Sequence, residues 1–356
     1  MEPAHNNPQP ETLAAALGAF LGSTVERLRV LASGWETTLY EFALRSRSEM
    51  MPAVAAGAPL VLRFYPSAKA AAKGAREFAI LNYLAEAGFP APRACLFEPD
   101  PTPIGAPFLV MERVRGGPLF AVRSFPQAFR TFSMGFLGFV RAQVQLHRMT
   151  PPPDLNQLPA PSTSDCAAAH LLDHTLATIA QRIEEGPLPG LAEALGRLRA
   201  RAGEFRAAPA SFLHLDYHPQ NVLVEGLHVT GVIDWANAAA GDRHFDAATT
   251  AVILSTSAME HPRWMRQNIV GNTLRRNFYL LYVALYHTLA PLDLRRLRYY
   301  QGLAATLRLS MLGMMRTRTP ESVGFRADAI SEVTPSVLGL LSRYTARKTG
   351  ARVTVP

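Results

Sequence analysis

The apolar positions of this chain change period along its length. Residues 13–21 carry a short helical pattern, and residues 27–65 then switch to β-like alternation. Residues 27–31 and 37–44 form two alternating runs around the turn Ser33-Gly34. Residues 46–58, with Pro52 and Gly57, read as a hairpin connection. Leu60-Val61-Leu62-Arg63-Phe64 reads as a third strand, ended by Pro66. Helical spacing returns over residues 69–87, with Phe78, Leu81 and Leu84 on one face and Gly88 as the stop. Short strands are expected at residues 94–97 and 108–114, followed by the turn Arg115-Gly116-Gly117-Pro118.

Beyond that turn the pattern is mostly helical. Residues 125–149 are amphipathic, 150–164 form a proline- and serine-rich loop, and 166–185 and 190–207 are two further helices. β-like runs at 211–216 and 222–235 interrupt them. Four helical segments follow, with Pro262, Pro291 and Pro320 near their breaks. A sheet-rich first part and a larger helical second part predict an α+β chain of two lobes.

Composition narrows the picture. The chain has 356 residues, 48% of them hydrophobic and 18% charged, enough for a sizeable core. Cys95 and Cys166 match neither a disulfide framework nor a zinc pattern, so a reducing, cytoplasmic setting is expected. No basic segment precedes an apolar run at the start, and no apolar stretch is long enough for a membrane span. The net charge is +8, and residues 251–356 hold 15 Arg plus Lys against 5 Asp plus Glu. These arginines are spaced among leucines and tyrosines, as in Leu294-Arg295-Arg296-Leu297-Arg298. They read as solvated helix faces, Arg275, Arg276, Arg295 and Arg296 included, so no nucleic-acid partner is expected. Tyr279, Tyr282 and Tyr286 recur at helical spacing and read as core.

The chemistry is concentrated in Leu213-His214-Leu215-Asp216-Tyr217-His218-Pro219-Gln220-Asn221 and in the later Gly231-Val232-Ile233-Asp234-Trp235. Phosphoryl transfer needs a carboxylate to accept the proton of the attacking hydroxyl, and hard oxygen ligands to hold Mg²⁺ on the phosphates. Asp216 and Asn221 on one loop, with Asp234 at the end of an apolar strand, supply those groups.

The same stretch resembles the catalytic loop of the aminoglycoside phosphotransferase and choline kinase superfamily. That loop is His-x-Asp-x-x-x-x-Asn, followed by a hairpin and an Ile-Asp-Trp or Ile-Asp-Phe motif. The resemblance implies a bilobal protein-kinase-like fold, with a small antiparallel-sheet N-lobe and a large helical C-lobe. Residues 1–24 would be a tail and short helix, 25–114 the nucleotide-binding N-lobe, and 115–356 the C-lobe with catalytic loop and acceptor site. It implies Asp216 as base, His214 as brace of the loop, and Asn221 and Asp234 as Mg²⁺ ligands. Asp246, after Gly241, would tie the catalytic loop to a helix, and His147 would be structural. Glu77 matches the acidic residue of the N-lobe helix, and 108–114 the hinge, where the carbonyl of Glu112 and the amide of Val114 meet the purine. The implied activity is transfer of the γ-phosphoryl group of ATP or GTP to a hydroxyl of a small molecule.

Two positions depart from the kinase pattern. Arg63 stands where the third strand usually carries Lys, and its fork can still pair with Glu77 and meet phosphate. The phosphate loop has Gly34 alone, so backbone amides and the hydroxyls of Ser33, Thr37 and Thr38 are expected to do the cradling. These departures leave one rival, a regulatory pseudokinase that binds nucleotide with little turnover. A zinc site at His214, Asp216 and His218 would leave Asn221 and Asp234 unexplained. A protein acceptor lacks its platform, since no Ala-Pro-Glu element follows Asp234. The basic C-terminal segment points away from polycationic aminoglycosides and toward a neutral or anionic acceptor.

Overall fold

The computed structural model describes residues 9–33, 37–65, 68–120, 135–152, 155, 164–256, 269–318 and 334–355. The chain folds as two compact units. The first contains residues 1–117 with 223–225 and 230–236, and the second contains the rest.

In the first unit, helix α1 (Pro10–Leu21) starts on a proline, whose missing amide costs nothing there. It stops at Gly22, whose left-handed backbone returns an amide to the Gly18 carbonyl. Its Leu13, Leu17 and Leu21 recur every four residues and are buried with Tyr40, Phe42, Leu60 and Leu62 of the sheet. The sheet holds β1 (Val25–Ser33), β2 (Thr38–Leu44), β3 (Leu60–Phe64), β4 (Ala94–Glu98) and β5 (Phe108–Glu112), in the order β1-β2-β3-β5-β4. All neighbours are antiparallel, and Arg63 of β3 faces Leu39 of β2 and Leu109 of β5 across the ladder.

Helix α2 (Ala68–Glu86) lies against β4 and β5. A Cβ on Gly74 would meet the rings of Phe97 and Tyr65 at 2.6 and 2.8 Å, so only glycine lets the helix backbone rest on them. One turn later this close approach delivers Glu77 to Arg63 of β3.

The second unit is mainly helical. It contains α3 (Phe136–Arg148), α4 (Ser164–Glu185), α5 (Ala192–Arg201), α6 (Arg243–Thr256), α7 (Ile269–Leu289), α8 (Leu294–Thr317) and α9 (Pro335–Thr349). Asp293 caps α8 by accepting from the amides of Arg295 and Arg296, and Thr334 caps α9 ahead of Pro335. A two-stranded antiparallel sheet pairs β7 (Ser211–Leu213) with β10 (Ala239–Gly241), bracketing the loop motif. A three-stranded sheet, most of whose residues (117, 223–225 and 230–232) belong to the first unit, orders β6 (Gly117–Pro118), β8 (Val222–Glu225) and β9 (His228–Val232) as β6-β8-β9. Among the described residues, no helix is long and apolar enough to cross a membrane.

Candidate active site

In the first unit, Arg63 is the centre of a charged cluster. Its Nε donates to the Thr37 hydroxyl at 3.2 Å, Nη1 to Glu77 Oε1 at 2.5 Å and Nη2 to Asp234 Oδ1 at 2.8 Å. The three acceptors come from the residue before β2, from α2 and from the residues after β9. Burial works against the guanidinium charge, but Glu77 and then Asp234 outweigh it, and the group is held well above its ordinary range. Three of its five N–H donors are used in these bonds, and two remain. An ammonium cannot reproduce that fork. Arg63→Lys is therefore expected to lower kcat/KM for nucleotide by about 10–100-fold, the worth of one or two charge-assisted bonds; steady-state kinetics at varied nucleotide checks it.

Glu77 is 2% exposed, so it is no ordinary solvated helix residue. Its second oxygen accepts from the Tyr65 hydroxyl at 2.9 Å. Sequence reasoning missed Tyr65, although it lies two residues beyond Arg63, the spacing that returns to one face of a strand. Thr37 and Thr38 are buried, and Thr37 spends its hydroxyl on Arg63. Gly34 lies outside the described residues, and so does the Ser33 side chain. In the segment expected as the hinge, the amide of Glu112 donates to the Arg93 carbonyl and that of Arg113 to the Pro59 carbonyl. Among the described residues the Val114 amide makes no hydrogen bond. Glu112 and Val114 line a cavity of about 330 Å³ together with Ala91, Pro92, Glu225 and Thr230. A Cβ on Gly231 would press into the Val114 side chain at 2.7 Å, so glycine sets the spacing between β9 and the hinge.

In the second unit, the loop after β7 is tied to itself. Asn221 donates its Nδ2 to the Asp216 carbonyl at 3.0 Å and lies 3.4 Å from the Asp216 Oδ2. His214 Nδ1 accepts from the Asp216 amide at 3.2 Å, and His218 Nδ1 accepts from the Gln220 amide at 3.3 Å. The other ring nitrogen of His218, Nε2, lies 3.7 Å from Asp216 Oδ1. Both histidines thus spend a ring nitrogen inside the loop. Burial pushes the Asp216 carboxyl up, but the nearby His218, then Arg308 and His214, outweigh it and hold it at about 2. Asp216 is a carboxylate throughout the neutral range.

The loop is held under strain. Leu215, directly before Asp216, has φ +60, and Asp234 has φ +67. Aspartate tolerates that region, whereas leucine does so at a cost of about 1–2 kcal/mol. Asp246 holds Leu215 in place: its Oδ1 accepts from the Leu215 amide at 2.7 Å and its Oδ2 from the His214 amide at 3.2 Å. Leu215→Gly removes both strain and side chain, while Leu215→Ala removes only the side chain. The glycine variant is expected to melt above the alanine variant by roughly 2–4 °C, about 1 kcal/mol, in thermal denaturation.

Behind Asp246 lies a buried polar network. His147 Nε2 and Gln143 Nε2 reach its Oδ2 at 2.8 and 3.2 Å. His147 Nδ1 meets the Tyr286 hydroxyl at 2.6 Å, and the Tyr282 hydroxyl donates to Gln143 Oε1 at 2.7 Å. Tyr282 and Tyr286 are buried, as their spacing predicts, but their hydroxyls are committed to this network. Gln143 was missed; its one sequence signal is the four-residue spacing to His147 on α3. Of the basic pairs, Arg276 and Arg295 are exposed, whereas Arg296 is bound to Asp242 at 2.7 Å. Arg275 is buried, which corrects the solvated reading.

Comparison with known proteins bears on this arrangement. Residues 27–300 match the family model described as "Phosphotransferase enzyme family". Homoserine kinases of Pseudomonas aeruginosa strains are 39% identical over 74 residues, which is 21% of this chain and 23% of theirs. The chain thus spans less than a quarter of the curated relatives it matches. Among solved structures, aminoglycoside phosphotransferase APH(4)-Ia superposes with a TM-score of 0.63 at 17% identity, covering 96% of this chain and 100% of that one. Macrolide 2'-phosphotransferase MphH from Brachybacterium faecium gives 0.55 at 16% identity, covering 92% and 99%. A thermostable mutant of APH(4)-Ia has been solved with AMP-PNP and hygromycin B. At these identities the likeness establishes a common fold.

Proposed function

Since this chain belongs to the phosphotransferase enzyme family, we propose that it is a small-molecule kinase that moves the γ-phosphoryl group of ATP or GTP onto a hydroxyl. The observation that carries this reading is the state of the catalytic loop. Asp216 is kept ionised, and Asn221 turns its amide nitrogen to the Asp216 backbone, so its oxygen is not the atom spent there. In this reading Asp216 orients the acceptor hydroxyl and takes its proton as the bond to phosphorus forms. Arg63 places its two remaining N–H groups on the phosphates that are not transferred. Glu77, held by Tyr65, fixes the guanidinium plane.

Asn221 offers an amide oxygen and Asp234 a carboxylate, each a hard ligand of the kind Mg²⁺ takes. By the resemblance each is a candidate Mg²⁺ ligand, and the ion when bound would neutralise charge on the phosphates. The rest of the electrostatic work falls to Arg63. Retention of Asp216, Asn221 and Asp234 supports turnover over a purely regulatory role. The acceptor is proposed to be neutral or anionic, in keeping with the basic C-terminal segment. The name of the short-matching relatives places homoserine among the acceptors to try.

The test is turnover of ATP and of GTP, with and without Mg²⁺, across hydroxylated amino acids, hydroxy acids, sugars, macrolides and aminoglycosides. Acceptor-dependent, Mg²⁺-dependent release of nucleoside diphosphate is the expected result. Failure to bind either nucleotide would sink the proposal.

A further inference from the structure

Helix α7 carries a charge that nothing among the described residues of the second unit neutralises. Its inward face runs through Arg275, Phe278, Tyr282 and Tyr286. Three of these have partners. Tyr286 meets His147, Tyr282 meets Gln143, and the Phe278 ring packs on Phe136 and Phe120 at 5.8 and 5.1 Å between centroids. Arg275, one turn nearer the start of the helix, is only 6% exposed. Among the described residues its one side-chain bond is from Nη2 to the Asn272 Oδ1 at 2.5 Å, and that acceptor is a neutral amide of the preceding turn. Among the described residues no carboxylate lies within ion-pair distance of it.

That arrangement is physically unusual. A guanidinium stays charged at any working pH, and burial of a charge without a counter-charge costs several kcal/mol. Five donors with one neutral acceptor also leave most of its hydrogen-bonding capacity unused. The surroundings deepen the deficit. Helix α7 contains no Asp or Glu in its 21 residues, Arg276 is adjacent, and Arg275 lies in the half nearer the positive end of the helix dipole. Every fixed charge of this segment has the same sign, and the missing partner is an anion.

We propose that Arg275 is the receptor of an anion-binding site that takes a carboxylate, phosphate or sulfate group through the planar guanidinium fork. Two sources offer that chemistry: a free inorganic oxyanion, or the anionic group of the phosphoryl acceptor. The second source alone rests on the kinase reading.

The experiment compares wild type, Arg275→Met and Arg275→Gln as full-length proteins. Thermal melting is followed in a buffer free of oxyanions, then during titration with inorganic phosphate and with sulfate at constant ionic strength. Without oxyanion, Arg275→Met is expected to melt about 2–6 °C above wild type, because it removes an uncompensated buried charge. Wild type is expected to gain about 3–6 °C, saturably, if free oxyanions are the ligand, and neither variant should respond. If free oxyanions give no gain, the acceptor is the source. The KM for a hydroxy acid should then rise at least about tenfold in Arg275→Gln, with the KM for its uncharged amide unchanged. An Arg275→Met protein that melts below wild type without oxyanion would overturn the proposal. So would an oxyanion response that survives in both variants, or the lack of any anion effect in both the melting and the kinetic measurement.

Discussion

Replacing Asp216 by asparagine is expected to lower kcat by about 10²–10⁴-fold, the usual worth of a positioned general base. The change keeps the size and shape of the side chain. It also keeps the backbone carbonyl to which Asn221 donates, so the loop has no geometric reason to rearrange. What it removes is a carboxylate that its surroundings hold ionised against the cost of burial. An asparagine in its place can still accept a hydrogen bond from a hydroxyl, but it cannot take the proton away. Nucleotide affinity should change little, because the contacts expected for the phosphates are made by Arg63 and the metal ligands. The measurements are single-turnover kinetics with the best acceptor and nucleotide titration of the same protein. Asp216→Asn protein that turns over at half the wild-type rate would remove Asp216 from the base role. A loss of nucleotide binding alongside turnover would instead place Asp216 in the nucleotide site.

How far the sequence discloses this site depends on the range of each interaction. Asp216, Asn221 and Asp234 stand out in the sequence because the chemistry proposed for them restricts residue type, and the loop fixes the spacing of the first two. The strands and helices are legible because apolar period is a local property. The expected helix at 69–87, for example, is observed as Ala68–Glu86. Arg63 could be identified as the odd residue of β3, yet its bond to Thr37 joins residues 26 apart, and its bond to Asp234 joins residues 171 apart. No local pattern encodes such a pairing. The tyrosine stripe of α7 shows the same limit. Its period correctly predicts burial, but hydroxyl partners on α3, 139 residues earlier, are fixed only by how the two helices pack. Arg275 is the plainest case. An arginine beside another arginine reads as solvated, and only the fold shows that one of the pair faces inward. The strain at Leu215 is equally invisible in the sequence, since it is imposed by two backbone bonds to Asp246.

That last pairing carries the largest stability effect. Asp246 is fully buried and accepts from four donors: the amides of His214 and Leu215, Gln143 Nε2 and His147 Nε2. Asp246→Ala leaves all four without their acceptor in a place water does not reach. Each stranded donor costs about 1–3 kcal/mol, and part of that is recovered by relaxation, so a net loss of about 3–5 kcal/mol is expected. In thermal melting this corresponds to a fall on the order of 10 °C. The strained backbone before Asp216 loses its restraint at the same time, so kcat should fall even well below the melting point. The pH dependence gives an independent check. Burial raises the Asp246 carboxyl, but the His147 bond and charge, then His214 and Gln143, outweigh it and leave the group below its ordinary value. A carboxyl depressed in the folded state stabilises the protein above its unfolded value, near pH 3.9, and that stability is lost as pH falls through the folded value. Wild type should therefore lose stability below about pH 4, while Asp246→Ala, with no carboxyl left to protonate, should show a shallower acid limb. Parallel acid limbs in the two proteins would mean that other carboxylates govern acid unfolding. A variant that melts within 2 °C of wild type would show that the catalytic loop is held by something other than Asp246.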